Sequence, residues 1–289
     1  IIPHLFLHIL PIHAFPINKD QILQDKYDVQ YAPSCQILQK ISQTFHHSEF
    51  NKLFAIQNPT KDLFYTDLEV NILSTFFTET QVIAKDNATK NAVLPHLKSS
   101  DNHCYHFSCH GGFNPANPLE SALLLANKEP LTLGEIFELR LNMNKCRLVT
   151  LSACETGLID LNSISDEYIG LPSGFLFAGS PSVVSSLWTV DDLSTSFLMI
   201  KLYEILFDAN MNISVPVALK TAQNWLQNLT IESLDKFLEQ YQPQMDKHLA
   251  LLQPEQRPLY KESLKLIKQR QPHPFISPYY WAGFIATGI

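Results

Sequence analysis

Features of membrane-spanning and exported chains are missing from this 289-residue sequence. No apolar run reaches the roughly 20 residues that cross a bilayer. The opening stretch, residues 1–7, is apolar, but it has no basic n-region and is interrupted by proline and histidine, unlike a signal peptide. Internal repeats and low-complexity tracts are also absent. We expect no membrane contact, and we expect the chain to begin mid-protein, as the C-terminal part of a longer protein.

The sequence also lacks an excess of positive charge and an even number of cysteines. The chain has 21 Lys and Arg against 28 Asp and Glu, a formal net charge of −7, which argues against general binding to nucleic acids or anionic membranes. Its five cysteines are an odd number, and a chain of this length does not need a disulfide framework. We therefore predict a cytoplasmic protein with reduced cysteines.

What is present is the pattern of an α/β fold. Short apolar runs, typical of buried strands, alternate with segments whose apolar residues have helical spacing. This alternation predicts a mostly parallel central sheet with helices on both faces. The expected strands are at 4–17 (one or two, at an edge), 27–32, 53–56, 80–84, the run that starts at Tyr105, 122–125, the run that starts at Leu148, 182–188 and 279–285. One helix is expected to begin after Ser34, and the others are expected at 67–77, 89–97, 133–141, 169–178, 192–207 and 214–229.

Residues 230–274 differ from the rest of the chain. Gln and Lys are frequent there, glycine is absent, and prolines at 243, 254 and 258 are expected to break its helical segments. We interpret this stretch as a helical insertion, or lid, within a single domain that spans residues 1–289.

Two apolar runs end in residues that suggest chemistry. The run from Leu148 stops at Cys154, after which a polar turn ends at Gly157, and the run from Tyr105 stops at His110, directly before Gly111. Parallel strands place their carboxyl ends at one edge of the sheet, where open α/β sheets have their sites. A thiolate needs a base and a site that stabilises the oxyanion, and imidazole is a suitable base near neutral pH. The pattern predicts a Cys–His peptidase centre, with the N–H groups of Gly111 and Cys154 as oxyanion donors.

Structural roles compete with this interpretation. A free cysteine is usually a buried structural thiol, which we expect for the other four, Cys35, Cys104, Cys109 and Cys146. His110 could be an ordinary loop histidine, and His106 is expected to be a core histidine.

A zinc site is a third possibility. Residues 104, 106 and 110 share a parity on a strand and could chelate one ion. The sequence has no second Cys/His pair at zinc spacing, so we expect neither a metal nor another cofactor.

A third strand end carries acidic residues. The run 182–188 leads into Asp191 and Asp192, and on spacing alone either one is best interpreted as the cap of the following helix. The functional alternative is an acidic pocket beside the nucleophile that holds a basic side chain of the substrate.

Several motifs together resemble the CHAT domain, a caspase-like, separase-related cysteine peptidase domain often found behind TPR repeats. The matching segments are 31–34 (YAPS), 106–111 (HFSCHG), 151–157 (LSACETG), 166–171 (DEYIGL), 186–192 (SLWTVDD) and 280–284 (YWAGF). Each is short, but their order and spacing cover almost the whole chain. Residues 230–274 are longer than the corresponding part of the family.

The resemblance implies a caspase–hemoglobinase fold, with His110 as the base and Cys154 as the nucleophile. It also implies that Asp192 receives a basic side chain on the amino side of the cleaved bond, and that an upstream TPR or sensor segment controls activity. The expected partner is a protein substrate. The alternative from another class is a catalytically silent interaction or regulatory module with the same fold.

Overall fold

The computed structural model describes residues 1–44, 50–114, 116–152, 170–208 and 213–289. Cys154, its glycine-ended turn and the pair Asp166 and Glu167 lie outside these ranges.

Strands of a six-stranded sheet run through the described part of the chain in the spatial order β2-β1-β3-β7-β8-β9. Neighbours in this sheet pair in parallel, except that β9 is antiparallel to β8. Strands β4, β5 and β6 form a small antiparallel sheet beside it. The mostly parallel sheet predicted from the sequence is therefore confirmed. The strands are β1 (Lys52–Gln57), β2 (Glu79–Ala84), β3 (Cys104–Ser108), β4 (Gly111–Gly112), β5 (Ala122–Leu124), β6 (Pro130–Thr132), β7 (Leu148–Ser152), β8 (Ser182–Ser186) and β9 (Phe284–Gly288).

Helices cover both faces of the large sheet. Successive residues of a strand point to opposite faces; in β1, Leu53 and Ala55 join one apolar cluster, and Phe54 and Ile56 join another. The first cluster includes α3, α7, α8 and the C-terminal helices, and the second includes α2, α4, α5 and α6. The helices are α1 (Leu23–Lys26), α2 (Cys35–Thr44), α3 (Thr66–Leu73), α4 (Lys90–Lys98), α5 (Leu133–Glu138), α6 (Leu171–Phe177), α7 (Asp192–Phe207), α8 (Val215–Gln227), α9 (Ile231–Gln240), α10 (Gln242–Leu251), α11 (Gln256–Lys268) and α12 (Pro278–Trp281).

Two predicted strands near the N-terminus are wrong. Residues 4–17 contain the short 3₁₀ helices Leu5–Ile9 and Ile12–Ala14 instead of strands. Within 27–32, only Tyr31 pairs with the sheet, through a bridge to Thr287. Proline at 11 and 16 removes N–H donors that a strand would use, which favours these compact turns.

The insertion is helical, as predicted, and Pro254 lies in the break between α10 and α11 as expected, but Pro243 and Pro258 act differently. Pro243 lies in the first turn of α10 and Pro258 in the first turn of α11, where the missing N–H has no partner to lose. They therefore help to start helices rather than break them. None of the helices in the described ranges is long and apolar enough to cross a membrane.

The end of the chain joins the sheet later than predicted. Pro278 starts the short helix α12, so the aromatic run 279–281 is helical and the last strand begins at Phe284. Between them, Gly283 accepts a hydrogen bond from the N–H of Leu187 (2.8 Å) and packs against the indole of Trp188. A Cβ at position 283 would lie 2.9 Å from that ring, so the glycine is required by close packing.

Candidate active site

His110 lies just past the carboxyl end of β3, at the turn into β4. The ring is about one-third exposed, and Nε2 lies 2.9 Å from Oδ1 of Asp62. A carboxylate only accepts hydrogen bonds, so Nε2 carries a proton and donates it to Asp62. In the neutral ring, Nδ1 is then the atom that can accept a proton.

Asp62 is held in place by the loop that follows β1. Asn58 has a left-handed backbone (φ 46°), and its side chain bonds both the carbonyl (2.8 Å) and the N–H (3.3 Å) of Leu63. The N–H of Asn58 donates to the carbonyl of Ser108, at the end of β3 (2.9 Å). This clasp ties the Asp62 loop to the strand that carries His110.

The charge of Asp62 is stabilised by its neighbours. Partial burial acts to raise the pKa of Asp62, but hydrogen bonds from Thr60 and His110 and the charge of His110 outweigh it, and the pKa is lowered. Asp62 therefore stays ionised while it holds the imidazole.

The strand that leads to Cys154 is the immediate neighbour of the histidine strand. Strands β3 and β7 pair in parallel, and Ser108 is opposite Ser152, so their carboxyl ends meet at one edge. Cys154, the predicted nucleophile and oxyanion donor, follows Ser152 by two positions in the sequence and lies outside the described residues.

Gly111, the other predicted oxyanion donor, pairs with Leu123 in the small sheet. The N–H of Leu124 donates to the carbonyl of His110 (2.8 Å), which makes Gly111 and Leu123 a non-hydrogen-bonded pair of the ladder. In such a pair the N–H points away from the partner strand. The Gly111 N–H is therefore directed away from β5, as a donor to an external oxygen must be.

Asp192 is the first residue of α7, and Asp191 is the residue that caps this helix. The Asp191 side chain accepts a hydrogen bond from the N–H of Ser194 (2.9 Å). Asp192 has a different environment: its carboxylate accepts the N–H of Tyr65 (2.8 Å) and a longer bond from the Thr66 hydroxyl (3.4 Å). The capping interpretation thus applies to Asp191 and leaves Asp192 for another role.

The partly buried carboxyl of Asp192 ionises with difficulty. Burial raises its pKa most, the nearby carboxylates of Glu69 and Asp191 raise it further, and the Tyr65 N–H opposes them, so that the pKa is about 7. The group is near the midpoint of its titration at neutral pH, which a cation beside it would shift toward the charged form.

One small pocket joins these strand and helix ends. It has a volume of about 30 Å³, and His110, Ser152 and Asp192 all line it. The other lining residues are Leu63, Thr66, Cys109, Val190 and Thr195. The structure thus brings two of the predicted site residues together with the end of the strand that precedes the third.

His106 lies in the core, as expected. It is fully buried, with Nε2 2.6 Å from Glu69 and Nδ1 3.2 Å from the hydroxyl of Tyr203. Ser108 and Ser196 also donate to Glu69. Of the three residues whose parity suggested a shared metal ion, Cys104 and His106 thus both contact the Tyr203 hydroxyl, whereas His110 contacts Asp62 at the strand end.

The cysteines near this network are ordinary buried thiols. Cys104 contacts the Tyr203 hydroxyl at 3.0 Å, and burial raises the pKa of Cys104 and brings that of Cys146 to about 12. Cys109 is buried too, but Cys35 is exposed at the start of α2, so its expected burial is wrong. Within the described ranges, no group of three or more His, Cys, Asp or Glu could hold a metal ion.

Sequence reasoning missed two parts of this arrangement. It did not find Asp62, although the aspartate comes soon after β1, which ends at Gln57 just before Asn58 and Pro59, another strand end at the same edge. It also missed Tyr65, which acts on Asp192 through its backbone and carries no side-chain signal for that role.

The mostly parallel sheet with helices on both faces is the fold of the caspase-like cysteine proteases. The similar solved structures include separase from Saccharomyces cerevisiae in complex with securin (TM-score 0.50, 18% identity), aligned over 75% of this chain and 14% of that one. They also include the Arg-specific cysteine proteinase gingipain R (TM-score 0.53, 9% identity), aligned over 89% of this chain and 52% of that one. The chain thus spans about a seventh of the separase chain and about half of the gingipain chain, and these identities show the fold alone.

The family is shown by sequence. The model of the CHAT domain matches residues 1–289, and the chain belongs to this family. A comparison with curated proteins found no match.

Proposed function

We propose that the chain is a cysteine endopeptidase that cleaves a partner protein after a basic residue. The observation that carries this proposal is the pocket in which His110 and Asp192 meet the end of β7, the strand that Cys154 follows. A base, an acidic group for a basic side chain and the predicted nucleophile thus derive from three adjacent element ends. The caspase-like fold supports the same assignment.

In the proposed reaction, Nδ1 of His110 removes the thiol proton of Cys154, and the sulfur attacks the scissile carbonyl. The N–H groups of Gly111 and Cys154 stabilise the oxyanion, a contribution of roughly 10²–10³ in rate for one donor. The C–N bond then breaks, and His110 gives its proton to the leaving amine. Water hydrolyses the thioester and regenerates the thiol.

Asp62 has a supporting role in this scheme. Its bond to Nε2 of His110 (2.9 Å) fixes the ring orientation and leaves Nδ1 as the proton acceptor. It also stabilises the imidazolium that forms when the thiol is deprotonated.

The size of the pocket supports control by an activating event. A volume of about 30 Å³ holds one or two water molecules. Under the proposal, an arginine side chain enters when neighbouring residues move and enlarge this pocket. Such a movement is consistent with an upstream TPR or sensor segment that opens the pocket. This upstream segment and a cytoplasmic location are both part of the proposal.

An electrophilic peptide probe with arginine next to the reactive group tests the proposal. We expect covalent labelling of Cys154, loss of labelling in Cys154→Ala, and at least a hundredfold slower labelling in His110→Ala. Cys35→Ser is the matched control, because Cys35 is an exposed thiol away from the pocket. Equal labelling of wild type and Cys154→Ala, or labelling confined to Cys35, would contradict the assignment.

The labelling experiment also separates the peptidase from the silent interaction module, and a metal assay tests the zinc alternative. If Cys154 does not react, even in the presence of the full-length protein and its partner, the chain is a silent interaction module. Stoichiometric zinc in the purified protein would favour the metal alternative.

A further inference from the structure

The helical insertion contacts the core of the domain through Tyr65, the residue just before α3. The Tyr65 side chain is buried, and its hydroxyl donates to the carbonyl of Tyr260 in α11 (3.1 Å). The same hydroxyl shares a hydrogen bond with Ser263, one turn further along α11. The two tyrosine rings also stack, with their centroids 5.0 Å apart.

The backbone of Tyr65 faces the opposite direction, toward α7. Its N–H donates to Asp192 (2.8 Å), and its carbonyl accepts the hydroxyl of Ser196 (2.9 Å), four residues further along that helix. One residue therefore holds α11 with its side chain and the start of α7 with its main chain.

We propose that Tyr65 is a positioning residue through which the insertion orients the carboxylate of Asp192. The proposal rests on the role of Asp192 in the proposed function, and it gives residues 230–274 a part in substrate selection rather than that of a lid. If α11 shifts, the Tyr65 hydroxyl moves with it, and the main-chain N–H no longer points at the carboxylate.

The charge of Asp192 depends on this contact. The charged groups that act on it are Glu69 from α3 and Asp191 from its own helix, both of which disfavour ionisation, and His110 lies across the pocket. The Tyr65 N–H is the nearest donor, and a hydrogen bond to the ionised form favours that form. When this donor is displaced, Asp192 becomes harder to ionise and binds a basic side chain less well.

Two variants on either side of the contact test the inference. Tyr65→Phe removes the hydroxyl and keeps the ring and the N–H, and Ser263→Ala removes only the partner in α11. Tyr241→Phe is the control, since Tyr241 is also a buried tyrosine of the insertion, but its hydroxyl donates to Glu204 (2.8 Å). If Tyr65→Phe does not fold, as judged by circular dichroism, Ser263→Ala carries the test.

The first measurement needs no catalysis. Carboxyl ¹³C NMR titration, with the Asp192 signal assigned from its loss in Asp192→Asn, gives the pKa of this group in each variant. We expect Tyr65→Phe and Ser263→Ala to raise it by about half a pH unit or more and Tyr241→Phe to leave it unchanged. An unchanged pKa in both folded variants would overturn the inference.

The second measurement is selectivity. We expect the preference for arginine over a neutral residue at the cleavage site to fall about tenfold, through a higher KM for the arginine peptide, with kcat for the neutral peptide unchanged. If the wild type neither cleaves nor is labelled, the proposed function fails, and the NMR titration alone decides whether Tyr65 positions Asp192. An equal loss of activity on both peptides would indicate a general structural defect and contradict the role in selection.

Discussion

Replacement of Asp192 by asparagine should make the protein more stable at neutral and alkaline pH while it weakens recognition of a basic residue. The amide keeps an oxygen that can accept the Tyr65 N–H, so the main hydrogen bond is preserved. What the variant loses is a partly buried group that has to ionise against Glu69 and Asp191.

The direction and size of this change in stability follow from the pKa of Asp192. Asp192 is raised from 3.8 to about 7 in the folded state, so between about pH 4 and pH 7 the folded protein keeps a proton that the unfolded chain has released. This group therefore lowers the free energy of unfolding by about 1.4 kcal/mol per pH unit across that window. Over the whole window, the loss of unfolding free energy is at most about 4 kcal/mol. Because Asp192 is partly exposed, solvent screening should reduce this loss to about half.

Urea unfolding of wild type and Asp192→Asn at several pH values between 4.5 and 8 measures this difference. We expect the stability advantage of the variant to grow by about 2 kcal/mol from pH 4.5 to 7.5 and then to level off. Asp62 does not contribute to this slope, because its pKa is lowered from 3.8 and the group is therefore ionised in both the folded and the unfolded chain throughout this range. A difference between Asp192→Asn and wild type that does not change with pH would refute the reasoning.

Three further predictions concern the neighbourhood of the site. Asp62→Asn should slow labelling of Cys154 about tenfold, far less than His110→Ala, and an unchanged labelling rate would exclude an orienting role. His106→Ala should lower the free energy of unfolding by about 3–5 kcal/mol, since it leaves the buried Glu69 without its imidazole partner and with only the hydroxyl donors of Ser108 and Ser196; a loss below 1 kcal/mol in urea unfolding would contradict this. Gly283→Ala should displace Trp188, which costs about 1–3 kcal/mol and changes tryptophan fluorescence; an unaltered spectrum would argue against the close contact.

The central strands could be predicted because buried parallel strands are short apolar runs with turns at both ends. Residues 53–56 and 182–188 have this form, and the structure has buried strands at both places. The helices at 192–207 and 214–229 followed from spacing and length, and Thr132 caps α5 as expected from its position before an apolar segment. The errors lie at residues 4–17 and 279–283, where prolines at 11, 16 and 278 remove strand N–H donors and favour short helices, and at 27–32, where only Tyr31 bridges to the sheet.

The site was predictable only as far as strand ends are visible in a sequence. His110 and Asp192 each follow such a run, and the order of the strands brings both to one pocket. Asp62 could not be assigned in the same way, because its approach to His110 requires that β1 neighbours β3 and that Asn58 clasps the loop. Tyr65 could not be assigned either, because its bond to Asp192 is made by its main chain and its hydroxyl bond to Tyr260 requires that α11 packs against the start of α3.

The antiparallel pairing of β8 with β9 has a consequence for folding. These strands are adjacent in space, yet the excursion between them contains α7, α8 and the whole insertion. The insertion roughly doubles the length of that excursion, but the entropy of closing a flexible loop rises only by about 0.6 kcal/mol for a doubling in length. The sheet can therefore close around an insertion of almost any size, whereas strands so distant along the chain pair slowly. The last strand is expected to complete the sheet late in folding, after the helices of the excursion have formed.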